Sequence, residues 1–132
     1  MILGIEHIGL MARDPKKLSQ WYQKVLNFKI IYKTKNYPFT FFLGGKEGSI
    51  LEILPFKKGN IFSSEKEKES KHIALQVSNF EETISILERK GINYIDKTIY
   101  LFAGGKAIFF KDPEGNLLQL IYRPKSLDKI GD

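Results

Sequence analysis

The sequence contains no cysteine and only two histidines among its 132 residues. The missing cysteines exclude disulfides, thiolate metal ligands and a cysteine nucleophile, and they suit a reducing compartment. No apolar run approaches the roughly 18 residues that a membrane span requires. The first apolar stretch holds Glu6 and His7 and lacks a basic start, so it does not read as an export signal. The expectation is a soluble, cytoplasmic protein. Its length fits one compact domain, which at this size buries roughly two-thirds of the surface of its unfolded chain.

The formal charge of +6 raises the question of nucleic acid. The basic residues are spread along the chain, however, and the densest stretch, Lys57 to Lys71, interleaves them with Glu65, Glu67 and Glu69. Mixed signs describe a solvated linker better than a phosphate track. The aromatic residues lie in strand-like runs, Phe39 to Leu43 and Ile108 to Phe110, where core packing accounts for them. Neither nucleic acid nor a membrane is expected as a partner.

Hydrophobic periodicity divides the chain into alternating strands and helices. A strand over Leu3 to Ala12 leads to Asp14 as N-cap and Pro15 in the first turn of a helix, with Leu18, Trp21, Val25 and Leu26 on one face and Asn27 closing it. Strands over Phe28 to Lys35, Phe39 to Leu43 and Ser49 to Leu54 follow, with Ile31 out of step in the first of these. Residues 57–70 are charged and read as a linker or mobile loop. The pattern then recurs. His72 to Val77 is a strand, and Asn79 caps a helix with Phe80, Ile84 and Leu87 inward and Gly91 at its C-cap. Strands over Ile92 to Tyr100, Lys106 to Phe110 and Leu117 to Tyr122 complete the repeat. A shift of 65 lays His7 on His72 and Asp14 on Asn79, so the chain is one module written twice. The boundaries are 1–56 for the first module, 57–70 for the linker, 71–123 for the second module and 124–132 for the tail.

Four polar residues occupy matching places in this repeat. His7 and His72 stand in the first strands. Glu52 and Gln119 stand in the last, within Ile50-Leu51-Glu52-Ile53-Leu54 and Leu117-Leu118-Gln119-Leu120-Ile121. Apolar neighbours on both sides of Glu52 predict burial, and a buried carboxylate costs several kcal/mol unless it is paired or ligates a metal. Lys106 is one available partner. If first and last strands are neighbours in each sheet and the modules are related by a two-fold, the four residues converge. Two imidazoles, a carboxylate and an amide oxygen suit a divalent ion such as Ni, Zn, Mn or Fe. The turn Asp112-Pro113-Glu114-Gly115 is explained by backbone geometry alone, and the Gly44-Gly45 and Gly104-Gly105 pairs precede no helix that would cradle a phosphate.

These stretches resemble the vicinal oxygen chelate superfamily, which includes glyoxalase I, bleomycin-resistance proteins and extradiol dioxygenases. The likeness rests on the strand His-Ile-Gly-Leu, the helix ending Trp-Tyr-Gln-Lys-Val-Leu-Asn-Phe, the strands Ile-Leu-Glu-Ile and His-Ile-Ala-Leu-Gln-Val, and Phe-Phe-Lys-Asp-Pro-Glu-Gly-Asn-Leu-Leu-Gln-Leu. It is similar above all to small bacterial proteins of the lactoylglutathione-lyase-related group. The resemblance implies an α+β fold of tandem βαβββ modules, with curved mixed sheets around a central cavity. It also implies a homodimer, a small-molecule substrate and metal ligands at His7, Glu52, His72 and Gln119.

The activity implied is that of a lyase or isomerase of glyoxalase type. Two vicinal oxygens of the substrate chelate the ion, an enediolate is stabilised, and Glu52 carries the proton. The last ligand of glyoxalase I is usually a glutamate, whereas Gln119 can bind through its oxygen but cannot act as a base. Met11 and Phe56 stand where glyoxalase I has an arginine and an asparagine that serve glutathione, which argues against glutathione as co-substrate. A non-catalytic binding protein of the bleomycin-resistance kind is the alternative. A non-haem iron dioxygenase or a thiol-transferring antibiotic-modifying enzyme is the third reading.

Overall fold

A computed structural model describes residues 1–56 and 71–131. The segment read as a linker, 57–70, lies outside the described residues. The chain divides into two compact units, Met1–Phe62 and Ser63–Asp132. In the first, the order is β1 (Ile8–Ala12), α1 (Pro15–Leu26), β2 (Lys29–Lys33), β3 (Phe41–Gly44) and β4 (Ile50–Pro55). In the second it is β5 (Ile73–Gln76), α2 (Phe80–Arg89), β6 (Ile95–Tyr100), β7 (Lys106–Lys111) and β8 (Leu117–Tyr122), with short 3-10 turns at Phe102–Gly104 and Leu127–Lys129. Each unit is a four-stranded mixed sheet, ordered β1-β4-β3-β2 and β5-β8-β7-β6. The first strand is parallel to the last, and all other neighbours are antiparallel. This is the α+β arrangement of tandem βαβββ modules that the repeat predicts.

The helices form where their caps dictate. Asp14 accepts from the backbone N–H of Lys17 at 3.0 Å, Pro15 pre-sets the first turn, and Asn27 ends α1 in the left-handed region at φ 61°. Asn79 accepts from Glu82 N–H at 3.1 Å. The cap of α2 is Lys90. Gly91, expected at the cap, stands one residue beyond it at φ 95°, where a left-handed residue returns the chain and Ile92 N–H reaches the Leu87 carbonyl at 3.0 Å.

Each helix covers one face of its own sheet. Leu18, Ser19 and Tyr22 are buried from α1, together with Phe41, Leu43, Leu51 and Ile53 from the strands. The centre of this core is Tyr22, fully buried, rather than Trp21; Tyr22 packs edge-on against both Trp21 and Phe28, with ring centroids 5.0 and 5.8 Å apart. In the second unit Phe80 and Leu87 of α2 are buried with Ile108, Phe110, Leu118 and Leu120. Burial of one such side chain contributes about 1.5–3 kcal/mol.

Two strands begin well inside the stretches that periodicity marks, and a third carries a register slip. β1 begins at Ile8, not Leu3, because Ile8 pairs with Leu51 and the chain before Ile50 is already turning, with Gly45 N–H bonded to Ser49 O and Gly48 at φ 86°. Ile2, Leu3 and Ile5 are consequently exposed. Ile31 is out of step because the β2–β3 register slips between Ile30 and Tyr32, a bulge that inserts one residue. β6 begins at Ile95 because Ile92 N–H is held by the Leu87 carbonyl of α2 and Tyr94 donates its hydroxyl to the Ile84 carbonyl at 3.0 Å. The Asp112 turn is structural, as expected. Its carboxylate accepts from Glu114 N–H, Asn116 N–H and Asn116 Nδ2 at 2.8–2.9 Å, and Gly115 supplies φ 88°.

Burial, and to a lesser extent the nearby Glu88 carboxylate, push the Tyr94 phenol up to about 12 from its ordinary 10.0. The fold therefore favours the neutral phenol. This stabilisation is complete below pH 10 and is lost as the pH rises from about 10 to about 12. Urea unfolding across that window should show stability falling less steeply in Tyr94→Phe than in the parent chain, and equal slopes would refute the assignment.

Candidate functional site

Parallel pairing of β1 with β4 sets Gly9 opposite Glu52; antiparallel pairing of β4 with β3 sets Phe42 opposite Glu52, and β3 with β2 sets Tyr32 opposite Phe42. Residues opposite one another share a sheet face, and their sequence neighbours share the other. Leu51 and Ile53 thus point at α1, while Glu52 points away from it. The expectation that its apolar neighbours bury Glu52 is corrected by this alternation. The Glu52 side chain keeps 21% of its exposure. Lys106 is not its partner either: it lies 2.8 Å from Glu81, and that hydrogen bond holds the Glu81 carboxyl below and the Lys106 ammonium above their usual ranges.

The partner of Glu52 is His7. This residue stands immediately before β1 rather than within it, and its ring lies edge-on to Phe42 with centroids 5.8 Å apart. Nε2 is 3.4 Å from Glu52 Oε1, and Nδ1 is 2.9 Å from Glu6 Oε1. Gly9 leaves the space that Glu52 occupies, since a Cβ there would sit 3.2 Å from Oε1.

The second unit repeats the plan. Ala74, Gln119, Phe109 and Ile95 are successive cross-strand neighbours, and His72, immediately before β5, lies edge-on to Phe109 at 5.4 Å. Gln119 is buried, with 8% exposure. The four residues singled out from the sequence thus occupy two equivalent arrangements, His7 with Glu52 in one unit and His72 with Gln119 in the other. Sequence reasoning missed the phenylalanines that link the members of each pair. The signal was present: an offset of 67 relates Phe42 to Phe109 as it relates Glu52 to Gln119.

The donor chemistry of the first unit fits a divalent ion. An unprotonated imidazole nitrogen and a carboxylate oxygen facing each other both carry lone pairs, so a proton or a metal must lie between them. Two donors each about 2.1 Å from a shared ion lie roughly 3.0–3.4 Å apart in octahedral or tetrahedral arrangements, which the His7 to Glu52 separation matches. Among the described residues no group of three or more His, Cys, Asp or Glu is gathered to hold a metal ion. The first unit offers His7 and Glu52 as proposed donors, and the second offers His72 and the amide Gln119.

Residues 4–120 match the Glyoxalase/Bleomycin resistance protein/Dioxygenase superfamily. The chain belongs to this superfamily. MhqE of Bacillus subtilis strain 168, which bears a ring-cleaving dioxygenase name, is 25% identical over 131 residues. That alignment takes in 93% of this chain, which spans only 42% of the length of MhqE. Among solved structures, a glyoxalase family protein of Enterococcus faecalis superposes with a TM-score of 0.73 at 25% identity, covering 90% of this chain and 97% of that one. The fosfomycin resistance protein FosX of Listeria monocytogenes, solved with Mn(II) and a dihydroxypropylphosphonic acid, superposes with a TM-score of 0.71 at 22% identity and shares the fold. Its alignment covers 97% of this chain and 94% of FosX. No helix among the described residues is long and apolar enough to cross a membrane.

The space at Gly9 yields a direct test. Its backbone lies outside the left-handed region, so Gly9→Ala should fold as the parent chain does, with stability changed by no more than about 1 kcal/mol. The added methyl should also move the Glu52 carboxylate away from His7 in a crystal structure of the variant.

Proposed function

We propose that this superfamily member is a metal-dependent lyase or isomerase of glyoxalase type, acting as a cytoplasmic homodimer on a small substrate with two vicinal oxygens. His7, Glu52, His72 and Gln119 hold the ion, and Glu52 is the proton carrier. The observation that carries this reading is the approach of His7 Nε2 to Glu52 Oε1 at 3.4 Å on a sheet face away from the helix, with the plan repeated in the second unit as His72, Phe109 and the amide Gln119 in place of the carboxylate.

When bound, a divalent ion supplies Lewis acidity that stabilises negative charge on adjacent substrate oxygens. The chain's own residues do the rest. The imidazoles of His7 and His72 bind as neutral donors, and the T-shaped contacts with Phe42 and Phe109 restrict the tilt of their rings. Gln119 offers a carbonyl oxygen with no proton to give or take at neutral pH. Glu52 is the one carboxylate of the set, so the proton that leaves one substrate carbon and returns to its neighbour travels on Glu52 Oε1 or Oε2. Met11 and Phe56, in place of the arginine and asparagine associated with glutathione, support a substrate without that tripeptide.

Protein purified without chelator should contain about one Ni, Zn or Mn per chain, and His7→Ala and His72→Ala should each lose it. No metal under any loading condition would instead support the binding-protein reading, and Fe(II) with oxygen consumption the dioxygenase reading. Glu52→Gln should keep the circular dichroism spectrum and melting behaviour while lowering turnover by about 10²–10⁴-fold. Turnover at the parent rate in that variant would remove Glu52 as the proton carrier.

A further inference from the structure

One polar contact at His7 has no counterpart in the second unit. Nδ1 of His7 lies 2.9 Å from Glu6 Oε1, whereas the residue before His72 is Lys71, the position that a shift of 65 gives for Glu6. A carboxylate only accepts, and an ammonium only donates. The two histidines therefore follow side chains of opposite hydrogen-bonding character, and His7 Nδ1 is the ring nitrogen that meets its neighbour's carboxylate.

We propose that Glu6 is a positioning residue for His7, setting its tautomer. The neutral ring carries one proton and has carboxylate oxygens near both nitrogens, at 2.9 Å on the Nδ1 side and 3.4 Å on the Nε2 side. The proton goes to the shorter contact, so Nδ1–H donates to Glu6 and the Nε2 lone pair is turned to Glu52. Neutral imidazole in solution favours the opposite form, with the proton on Nε2. Glu6 thus reverses an intrinsic preference and presents the nitrogen that a metal needs, as carboxylates behind ligating histidines do generally. The residue before His72 is Lys71, whose ammonium cannot accept from Nδ1, so no preceding carboxylate favours the Nδ1–H form there. This role rests on the metal-binding reading for its purpose, but the tautomer itself is a property of the metal-free chain.

Long-range proton–nitrogen spectra of the metal-free protein at about pH 9, well above the imidazole range, read the tautomer of each ring directly. The expected result is Nδ1–H at His7 and Nε2–H at His72. Glu6→Ala should return His7 to Nε2–H, while Glu6→Gln should retain Nδ1–H, because its side-chain oxygen still accepts. Far-UV circular dichroism checks that all three chains are folded. In parallel, Mn(II) titration should show affinity about ten-fold or more weaker in Glu6→Ala, with Glu6→Gln closer to the parent. Nε2–H at His7 in the parent chain, or an unchanged tautomer in Glu6→Ala, would overturn the proposal. A parent chain with the expected tautomers that takes up no Mn(II) would sink the metal reading and leave the Glu6 contact standing. Stoichiometric metal with the wrong tautomer would do the reverse.

Discussion

Parallel pairing between the first and last strands of each module is the constraint from which the donor geometry follows. A parallel neighbour cannot be reached by a tight turn, so the chain between β1 and β4 must leave the sheet and return. The helix that leaves and returns spends its apolar stripe on one face, burying Leu18 and Tyr22 against Leu51 and Ile53. The opposite face is then where Glu52, Phe42 and Tyr32 lie in one cross-strand row. Because β1 pairs only from Ile8 onward, His7 stands at the shoulder of the ladder. Its ring is placed by side chains, namely the edge of Phe42 and the carboxylates of Glu6 and Glu52, rather than by strand register.

Much of this was legible in the residues, and what was not has identifiable causes. The repeat, the helix caps and the four polar positions could be read because each depends on local chemistry or on period. The burial of Glu52 was misjudged by counting its sequence neighbours, when in a strand the immediate neighbours lie on the other face and only residues two apart and across the ladder share its surroundings. The limits of β1 and β6 were missed because they are set by the partner strand and by the hydroxyl of Tyr94, neither of which leaves a mark on the strand's own pattern. Ile31 did leave a mark. Its break in alternation is the β-bulge, but a bulge and a weak strand look alike until the partner is known.

The phenylalanines show a different kind of gap. Phe42 and Phe109 each sit in a run of aromatic and aliphatic residues that core packing explains, and half of each run does go to the core: Phe41 and Phe110 are buried beneath the helices. Alternation sends their neighbours to the donor face. Only the sheet register reveals that each is the cross-strand partner of Glu52 or Gln119 and touches the matching histidine. A T-shaped contact with a phenylalanine leaves a neighbouring histidine ring few orientations, so these contacts restrict the imidazoles.

The two modules share a backbone plan but not an electrostatic one. Around His7 stand two carboxylates, Glu6 and Glu52, and a glycine that makes room for the second. Around His72 the matching places hold Lys71, Gln119 and Ala74. On a chain with a net charge of +6, the first arrangement is a local concentration of negative charge, and a divalent ion is attracted to it over the few ångströms where screening is weak. The second arrangement has a neutral amide in place of the carboxylate, and it attracts a cation less. Exact repetition would have supplied two carboxylates or two amides, so the divergence between Glu52 and Gln119 confines the ionisable member of this cross-strand row to the first unit.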